Sequence, residues 1–297
     1  MEREINMDRS VKRMYRIKEL LPGVYGISSS VVMTYLAVGK TGAMLIDTAY
    51  GFGGLDQAVR EVTALPVTVV NTHGHIDHSG SNFCFDIPTY IHEADVEVYR
   101  RHNAPAFHRE LEKSLKLFDR ILFWRDLLPK HPEANDDKRA NFNNFRFIKE
   151  GDEFDLGGLT ARIIEISGHT QGSIAILFPE KRLIVTSDGA CGGTYLFLPE
   201  SASLSTYIKS LRKLEGLDFD HILTGHSSKL FPKSELKDWL HVAENLDLEH
   251  GKPDKGQSVV SPGVTPVRCW AKDDPKHKGP SIVVDPNKLD QRTEVRG

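Results

Sequence analysis

Three histidines and an aspartate fall within six residues in the stretch Asn71-Thr72-His73-Gly74-His75-Ile76-Asp77-His78-Ser79-Gly80. Neutral imidazole and carboxylate together suit a borderline divalent cation such as zinc. A solitary histidine is usually a surface or hydrogen-bonded interior residue. Four metal-capable side chains this close together, packed with no cation, would bury many polar atoms needing partners. Upstream, Val67-Thr68-Val69-Val70 is a short β-branched run that predicts a buried strand. Gly74 and Gly80 let the backbone turn tightly. The cluster is therefore expected in a loop at the C-terminal end of a strand, where α/β proteins place their sites.

The pattern His73-x-His75-x-Asp77-His78 resembles the signature of the metallo-β-lactamase superfamily, in its dinuclear hydrolase branch. Three further stretches follow in that family's order: Ser167-Gly168-His169-Thr170-Gln171-Gly172-Ser173, then Ser187-Asp188-Gly189, then Thr224-Gly225-His226-Ser227. The resemblance runs from about Val24 to Leu248. It departs at Gln171, where many members carry proline, and in the long gap between the first and second stretches. It implies an α/β fold, the αββα four-layer sandwich, with two sheets face to face, helices outside and a helical insertion. It also implies that His73, His75 and His169 hold one metal, that Asp77, His78 and His226 hold a second, and that Asp188 bridges the two. The implied cofactors are two divalent ions, zinc first, with manganese or iron as alternatives. A bridging water or hydroxide would be the nucleophile, since zinc-bound water is acidified to a pKa near 7. Asp77 would be the catalytic carboxylate that orients it and shuttles a proton. The residual positive charge of such a centre favours an oxyanion in the transition state.

Asp188 together with His78 makes the chain similar to glyoxalase II, acyl-homoserine lactone lactonases, ribonuclease Z and phosphodiesterases. Glyoxalase II carries a glycine-cysteine-glycine-arginine stretch; here Gly189-Ala190-Cys191-Gly192-Gly193-Thr194-Tyr195 has no arginine, so glutathione specificity is not implied. Cys191 is expected to be a packing residue, because the resemblance already fills every ligand position. Tyr195 is a candidate donor to a substrate carbonyl, and Asp47 a support for the ligand histidines. The function implied is a metal-dependent hydrolase acting on a small ester, lactone or thioester. Two alternatives stay open: a mononuclear iron persulfide dioxygenase, and a metal-stabilised binding protein without turnover.

The chain has 297 residues, 39% hydrophobic and 27% charged, with a formal net charge of -3. That is ordinary for a globular protein, gives ample material for a core, and does not suggest a nucleic-acid binder. Three widely spaced cysteines, Cys84, Cys191 and Cys269, with no CxxC pair argue against a disulfide framework and fit a reducing cytoplasm. The charged first residues lack the apolar core of a signal peptide, and no apolar run approaches the length of a membrane span. The expected partner is therefore a small-molecule substrate, with no nucleic acid and no membrane; a homodimer is left open.

The elements that must position the ligands read as follows. Residues 1–20 are a charged lead-in. Strands are expected at residues 24–27, 31–38 and 43–46, the last closed by Asp47 and the turn Tyr50-Gly51-Phe52-Gly53-Gly54. That turn lacks GxGxxG and a Walker lysine, so it is expected to lead from strand to helix rather than cradle a phosphate. Leu55, Val59 and Val62 then fall at helical spacing. Residues 93–148 are expected to be a helical insertion, a lid within a single 1–297 domain, with Phe118, Leu122 and Trp124 lining an acyl pocket. His92, His102, His108 and His131 are expected not to bind metal. Residues 133–144 are polar and predict a loop. A strand–Asp–glycine turn–helix–strand–His pattern, ending once at His73 and again at His226, hints at a duplicated half. Residues 251–297 form a C-terminal extension in which Ser281-Ile282-Val283-Val284-Asp285 is a strand expected on a sheet edge near the start of the domain.

Overall fold

The computed structural model describes residues 14–29, 32–107, 109, 135–254, 261 and 263–289. The chain divides into two compact units. One comprises Met1–Ile148, Asp152–Ala161 and Gly225–Ser228, the other Lys149–Gly151, Arg162–Thr224 and Lys229–Gly297.

The first unit is built on a seven-stranded sheet: β1 (Arg16–Leu21), β2 (Val24–Ser29), β3 (Val32–Val38), β4 (Ala43–Ile46), β5 (Val67–Val70), β6 (Thr89–His92) and β7 (Phe145–Ile148), side by side in that order. The strands through β4 pair antiparallel as hairpins, and β4 to β7 run parallel. Parallel strands need a crossover, and α1 (Leu55–Val62) provides it between β4 and β5. Its buried Leu55, Ala58 and Val59 share one helical face and join Leu36, Leu45 and Val69 in a common core. The glycine turn before it carries positive φ at Gly51, Gly53 and Gly54, and Gly54 caps the helix. Among the described residues, the short helices α2 (Ile76–Ser79), α3 (Val96–His102) and α4 (Asp136–Asn141) follow in this unit, together with strand β8 (Glu153–Asp155).

In the second unit the larger sheet runs β14-β13-β11-β10-β9, from β9 (Thr160–Glu165), β10 (Ile174–Phe178), β11 (Leu183–Ser187), β13 (His221–Thr224) and β14 (Ser227–Pro232). β11 and β13 are parallel, with α5 (Leu204–Glu215) crossing between them. Ser203 caps α5 by accepting the Thr206 N–H at 3.2 Å. Tyr207, Leu211 and Leu214 of α5 enter one core with Leu236, Trp239 and Leu240 of α6 (Glu235–Glu244). A smaller sheet orders β12 (Gly193–Leu196), β17 (Ser281–Val284), β16 (Val267–Cys269) and β15 (Lys252–Pro253). The expected repetition is visible: β4–α1–β5 and β11–α5–β13 are both parallel βαβ crossovers. At the C-terminal end of each first strand stands a non-glycine residue with positive φ, Asp47 just after β4 at 64° and Ser187 closing β11 at 49°.

Four expectations are corrected. The lead-in ends early, because Pro22-Gly23 closes a hairpin that draws Arg16–Leu21 into the sheet, with Gly23 at φ 76°. The polar segment 133–144 contains α4, which is held by tertiary contacts that leave no apolar periodicity: Arg139 is fully buried and its carbonyl accepts the Tyr99 hydroxyl at 3.0 Å. Residues 145–148 belong to the sheet as β7, paired to β6, and not to inserted helix. The strand at residues 281–284 pairs parallel with β12, just after Asp188, and not near the start of the domain. Residues 108 and 110–134 of the expected insertion, among them His108, Phe118, Leu122, Trp124 and His131, lie outside the described residues.

Gly39 shows how tightly the β3–β4 turn is packed. A Cβ there would meet the Leu156 carbonyl oxygen at 2.0 Å and its carbon at 2.6 Å. That same oxygen accepts the N–H groups of Thr41 and Gly42 at 3.0 and 3.1 Å, so it has little room to retreat. Gly39→Ala is expected to cost about 1–3 kcal/mol, the usual range for overpacking, and to lower the melting midpoint. Gly216→Ala, where the nearest atom would be an ordinary contact at 3.4 Å, should leave it nearly unchanged. Thermal unfolding of the two variants side by side measures this.

Candidate metal centre

The first ligand stretch is shaped by the end of β5. The Asn71 N–H bonds the Tyr90 carbonyl oxygen at 2.8 Å, which ends the strand in register with β6. His75 then accepts the first helical N–H groups of α2, from His78 at 3.0 Å and Ser79 at 2.9 Å. The turn places His73, His75 and His78 together: the His73 ring centroid lies 4.6 Å from His75 and 4.3 Å from His78, and all three are buried. A buried amide network holds the loop from behind. Asn71 Nδ2 donates to the His78 carbonyl oxygen at 3.1 Å, Asn82 Nδ2 to Asn71 Oδ1 at 2.7 Å, and the Thr48 hydroxyl to Asn82 Oδ1 at 2.7 Å.

Asp47 sets the orientation of two of the imidazoles. Its carboxylate accepts the Thr72 N–H at 2.7 Å and the Thr72 hydroxyl at 2.9 Å, and lies 2.8 Å from His78 Nδ1. Because the Thr72 hydroxyl proton goes to Asp47, its oxygen accepts from His73 Nδ1 at 3.0 Å. One carboxylate thus fixes His78 directly and His73 through Thr72, with each ring protonated on Nδ1. A carboxylate behind a ligand histidine fixes the tautomer and raises the basicity of the other ring nitrogen. The support expected of Asp47 is therefore present.

His226 enters the same unit on the segment Gly225–Ser228. The Gly225 carbonyl oxygen accepts the Met33 N–H at 2.8 Å, and the Tyr35 hydroxyl donates to the Ser227 carbonyl oxygen at 3.0 Å, so β3 fastens the segment. Nε2 of His78 and Nε2 of His226 each lie 3.6 Å from Asp77 Oδ2. That is too long for a hydrogen bond and close to the roughly 3.3 Å separating two donors that sit about 2.0 Å from one tetrahedral ion. The donor set of two imidazoles and a carboxylate fits a divalent cation such as zinc. It is buried on its His78 side, at 0% exposure, and open at His226, at 44%.

The second unit holds the other two expected residues. His169 is fixed by an Nδ1–H bond to the Tyr195 carbonyl oxygen at 2.9 Å, while its own carbonyl accepts the Ser201 hydroxyl at 2.8 Å. Its Nε2 lies 3.8 Å from Asp188 Oδ2. Gln171 uses the backbone N–H that a proline lacks, bonding the Glu200 carbonyl oxygen at 3.0 Å. Five of the seven expected ligands are thus gathered in the first unit, His73, His75, Asp77, His78 and His226, and two in the second, His169 and Asp188. Among the described residues, no cluster of candidate metal donors contains a cysteine. Cys191 Sγ lies 3.5 Å from the Thr194 hydroxyl. His92 caps a turn, its Nδ1 accepting the Ala94 N–H at 3.2 Å.

Three contributors were not read from the sequence: Thr72, Asp95, whose Oδ2 accepts the Gly74 N–H at 2.8 Å, and His102, whose ring centroid lies 4.4 Å from that of His75. Asp95, Tyr99 and His102 share helical spacing, which is the signal that points them to one side of α3.

A profile of the metallo-β-lactamase superfamily matches residues 28–226, more than half of the chain. The chain belongs to the metallo-β-lactamase superfamily. Acyl-coenzyme A thioesterase MBLAC2 of Bos taurus is 25% identical to this superfamily member over 241 residues, covering 73% of this chain and 82% of the bovine enzyme. Hydroxyacylglutathione hydrolase of Ruegeria pomeroyi is 34% identical over 84 residues, covering 27% of this chain and 31% of that enzyme. A solved metallo-β-lactamase from Pontibacter korlensis shares the α/β fold with a TM-score of 0.56 at 16% identity, covering 78% of this chain and 99% of that one. No described helix is long and apolar enough to cross a membrane.

Asp47→Asn keeps the side-chain shape but leaves one acceptor oxygen in place of two, and an amide NH2 in the position of Oδ2 cannot accept the Nδ1–H of His78. Loss of such a supporting carboxylate costs about 10–100-fold in metal affinity or activity. Zinc affinity measured by chelator competition should fall within that range while the fold, followed by circular dichroism, persists.

Proposed function

We propose that this superfamily member is a dinuclear metal-dependent hydrolase of a small acyl compound, with a thioester placed before an ester or a lactone. The carrying observation is the Asp77–His78–His226 cluster, with each imidazole Nε2 3.6 Å from Asp77 Oδ2 and Asp47 behind His78. In this reading His73, His75 and His169 hold one ion, Asp77, His78 and His226 the other, and Asp188 joins them. The assignment of all seven to one centre rests on the order of the motifs; the local geometry within each unit supports it. The similarity to an acyl-coenzyme A thioesterase favours the thioester. Zinc is the proposed metal, given the preponderance of imidazole donors. The proposed setting is the cytoplasm and the proposed partner a small molecule.

When bound, such ions polarise an acyl carbonyl and acidify water towards a pKa near 7. The chain's own groups do the rest. Asp77 is partly exposed, at 26%, and lies between His78 and His226. In this reading its carboxylate would orient the attacking water and carry away its proton. Burial, opposed by the nearby Arg268, pushes the Tyr195 phenol above its ordinary value. Tyr195 is therefore a neutral donor at pH 7, able to hold an acyl oxygen. Cleavage of a thioester then yields a carboxylate and a thiol.

Two measurements test the reading. Elemental analysis of protein purified without chelator should approach two metal equivalents. A panel of thioesters, esters, lactones, phosphodiesters and β-lactams should show acyl hydrolysis that chelator abolishes. One tightly held iron with sulfur-oxidising activity, or metal with no turnover at all, would replace the proposal by one of its alternatives. Asp188→Asn should lose metal, the second ion first, and at least 10–100-fold of the rate, whereas Cys191→Ala should retain both metals and most turnover. The reverse pattern would place Cys191 in the centre and remove Asp188 from it.

A further inference from the structure

Helix α3 meets the ligand loop at both of its ends. At its start, Asp95 is fully buried and its Oδ2 accepts the Gly74 N–H at 2.8 Å. At its finish, Asn103 Nδ2 donates to the Ser79 hydroxyl oxygen at 3.0 Å, and that hydroxyl in turn bonds the His75 carbonyl oxygen at 2.8 Å. The approach between them is close. A Cβ on Gly74 would lie 2.5 Å from the Asp95 carbonyl oxygen and 2.6 Å from the Tyr99 nitrogen, so only glycine fits between His73 and His75.

The last residue of the helix, His102, adds a contact of another kind. Its ring lies on the His75 ring, with centroids 4.4 Å apart and planes 25° from parallel. On His102 lies Phe107 in turn, at 4.2 Å and 35°. His102, stacked on His75 and in tilted contact with Phe107, is buried. His73 is oriented through Thr72, His78 by Asp47 and His169 by the Tyr195 carbonyl oxygen, each through Nδ1. The torsion that turns an imidazole about its own bond is soft and broadly populated. A flat ring stacked against it removes much of that freedom.

We infer that His102 is a positioning residue for His75: by stacking, it sets the plane in which the His75 imidazole is presented to the metal. None of the four motif stretches includes His102, and it lies within the segment expected to be an insertion. The inference rests on the proposed metal centre. The inference invokes the flat face that His102 lays on His75, so a phenyl ring should replace it. Leucine, which fills space without a plane, should not.

The test compares the full-length wild type with His102→Phe, His102→Leu and His102→Ala. The readouts are zinc affinity by chelator competition, the visible spectrum of the cobalt-substituted protein, and thermal stability. The phenylalanine variant should keep the wild-type affinity and spectrum. The leucine and alanine variants should lose about tenfold or more in affinity, at the low end of the effect of disturbing a ligand's supporting contacts, and shift the cobalt bands. If leucine restores affinity as well as phenylalanine, His102 merely fills space and the inference fails. If phenylalanine is as damaging as alanine, the nitrogens of His102 act and the stacking account fails. Should the alanine variant not fold, the comparison of phenylalanine with leucine still decides. Wild-type protein that binds no zinc would instead refute the underlying metal-centre reading, which separates the two failures.

Discussion

The constraint on which the rest of the ligand loop depends is the buried carboxylate of Asp47. It carries the Thr72 N–H, the Thr72 hydroxyl and His78 Nδ1 at once, and is 1% exposed. A buried carboxylate without such partners would be expensive; with them, it becomes the fixed point around which two imidazoles are turned. The chain reaches this position by ending β4 in a left-handed conformation, at φ 64°. Aspartate tolerates that region better than most residues, and the hydrogen bonds to its side chain over-determine it. The Asp47 N–H also bonds the Val70 carbonyl oxygen at 2.8 Å, so the hub is tied to the strand that delivers the histidines. Backbone strain and ligand geometry are thereby secured by one set of contacts.

The second layer of support comes from α3 and α4. α4 secures the glycine turn that follows Asp47: Asn135 Nδ2 donates to the Gly51 carbonyl oxygen at 3.0 Å, and buried Arg139, paired with Asp136, packs against Gly51. Gly51 at φ 92° has no room for a side chain there, since its Cβ would lie 2.8 Å from Arg139. α3 secures the other side of the ligand loop through Asp95, Asn103 and His102. Both helices therefore do more than cover a site. They hold the backbone from which His73, His75 and His78 project.

In the second unit, the C-terminal strands play a comparable part. β12 follows Asp188 directly and is extended by β17 and β16 into a separate sheet. Tyr195 on β12 accepts His169 Nδ1 through its carbonyl oxygen, and its hydroxyl meets Arg268 Nη2 at 3.4 Å. Arg268 is itself held by Asp254, at 2.6 Å, and by the Ser281 hydroxyl, at 2.9 Å. The sequence stretch from Gly189 to Tyr195 lacks an arginine; the fold brings one to Tyr195 from β16. The extension is thus part of the structure that orients His169.

The sequence by itself determined the candidate ligand types, their order and the strands that carry them. Those signals are local: β-branched runs, glycine turns, and four short motifs whose chemistry shows in the residue types. Asp47 could be read as a support once the resemblance had named the histidines as ligands. The tertiary structure alone decided that Thr72 relays its effect to His73, that His102 lies on His75, that a polar stretch at 136–141 folds into a helix around buried Arg139, and that residues 281–284 pair with β12. These are contacts between residues distant in sequence, or between neighbours whose partner lies elsewhere. A stacked ring or a buried guanidinium leaves no period and no motif, because the energy that selects it comes from packing against another segment and not from the propensities of its own.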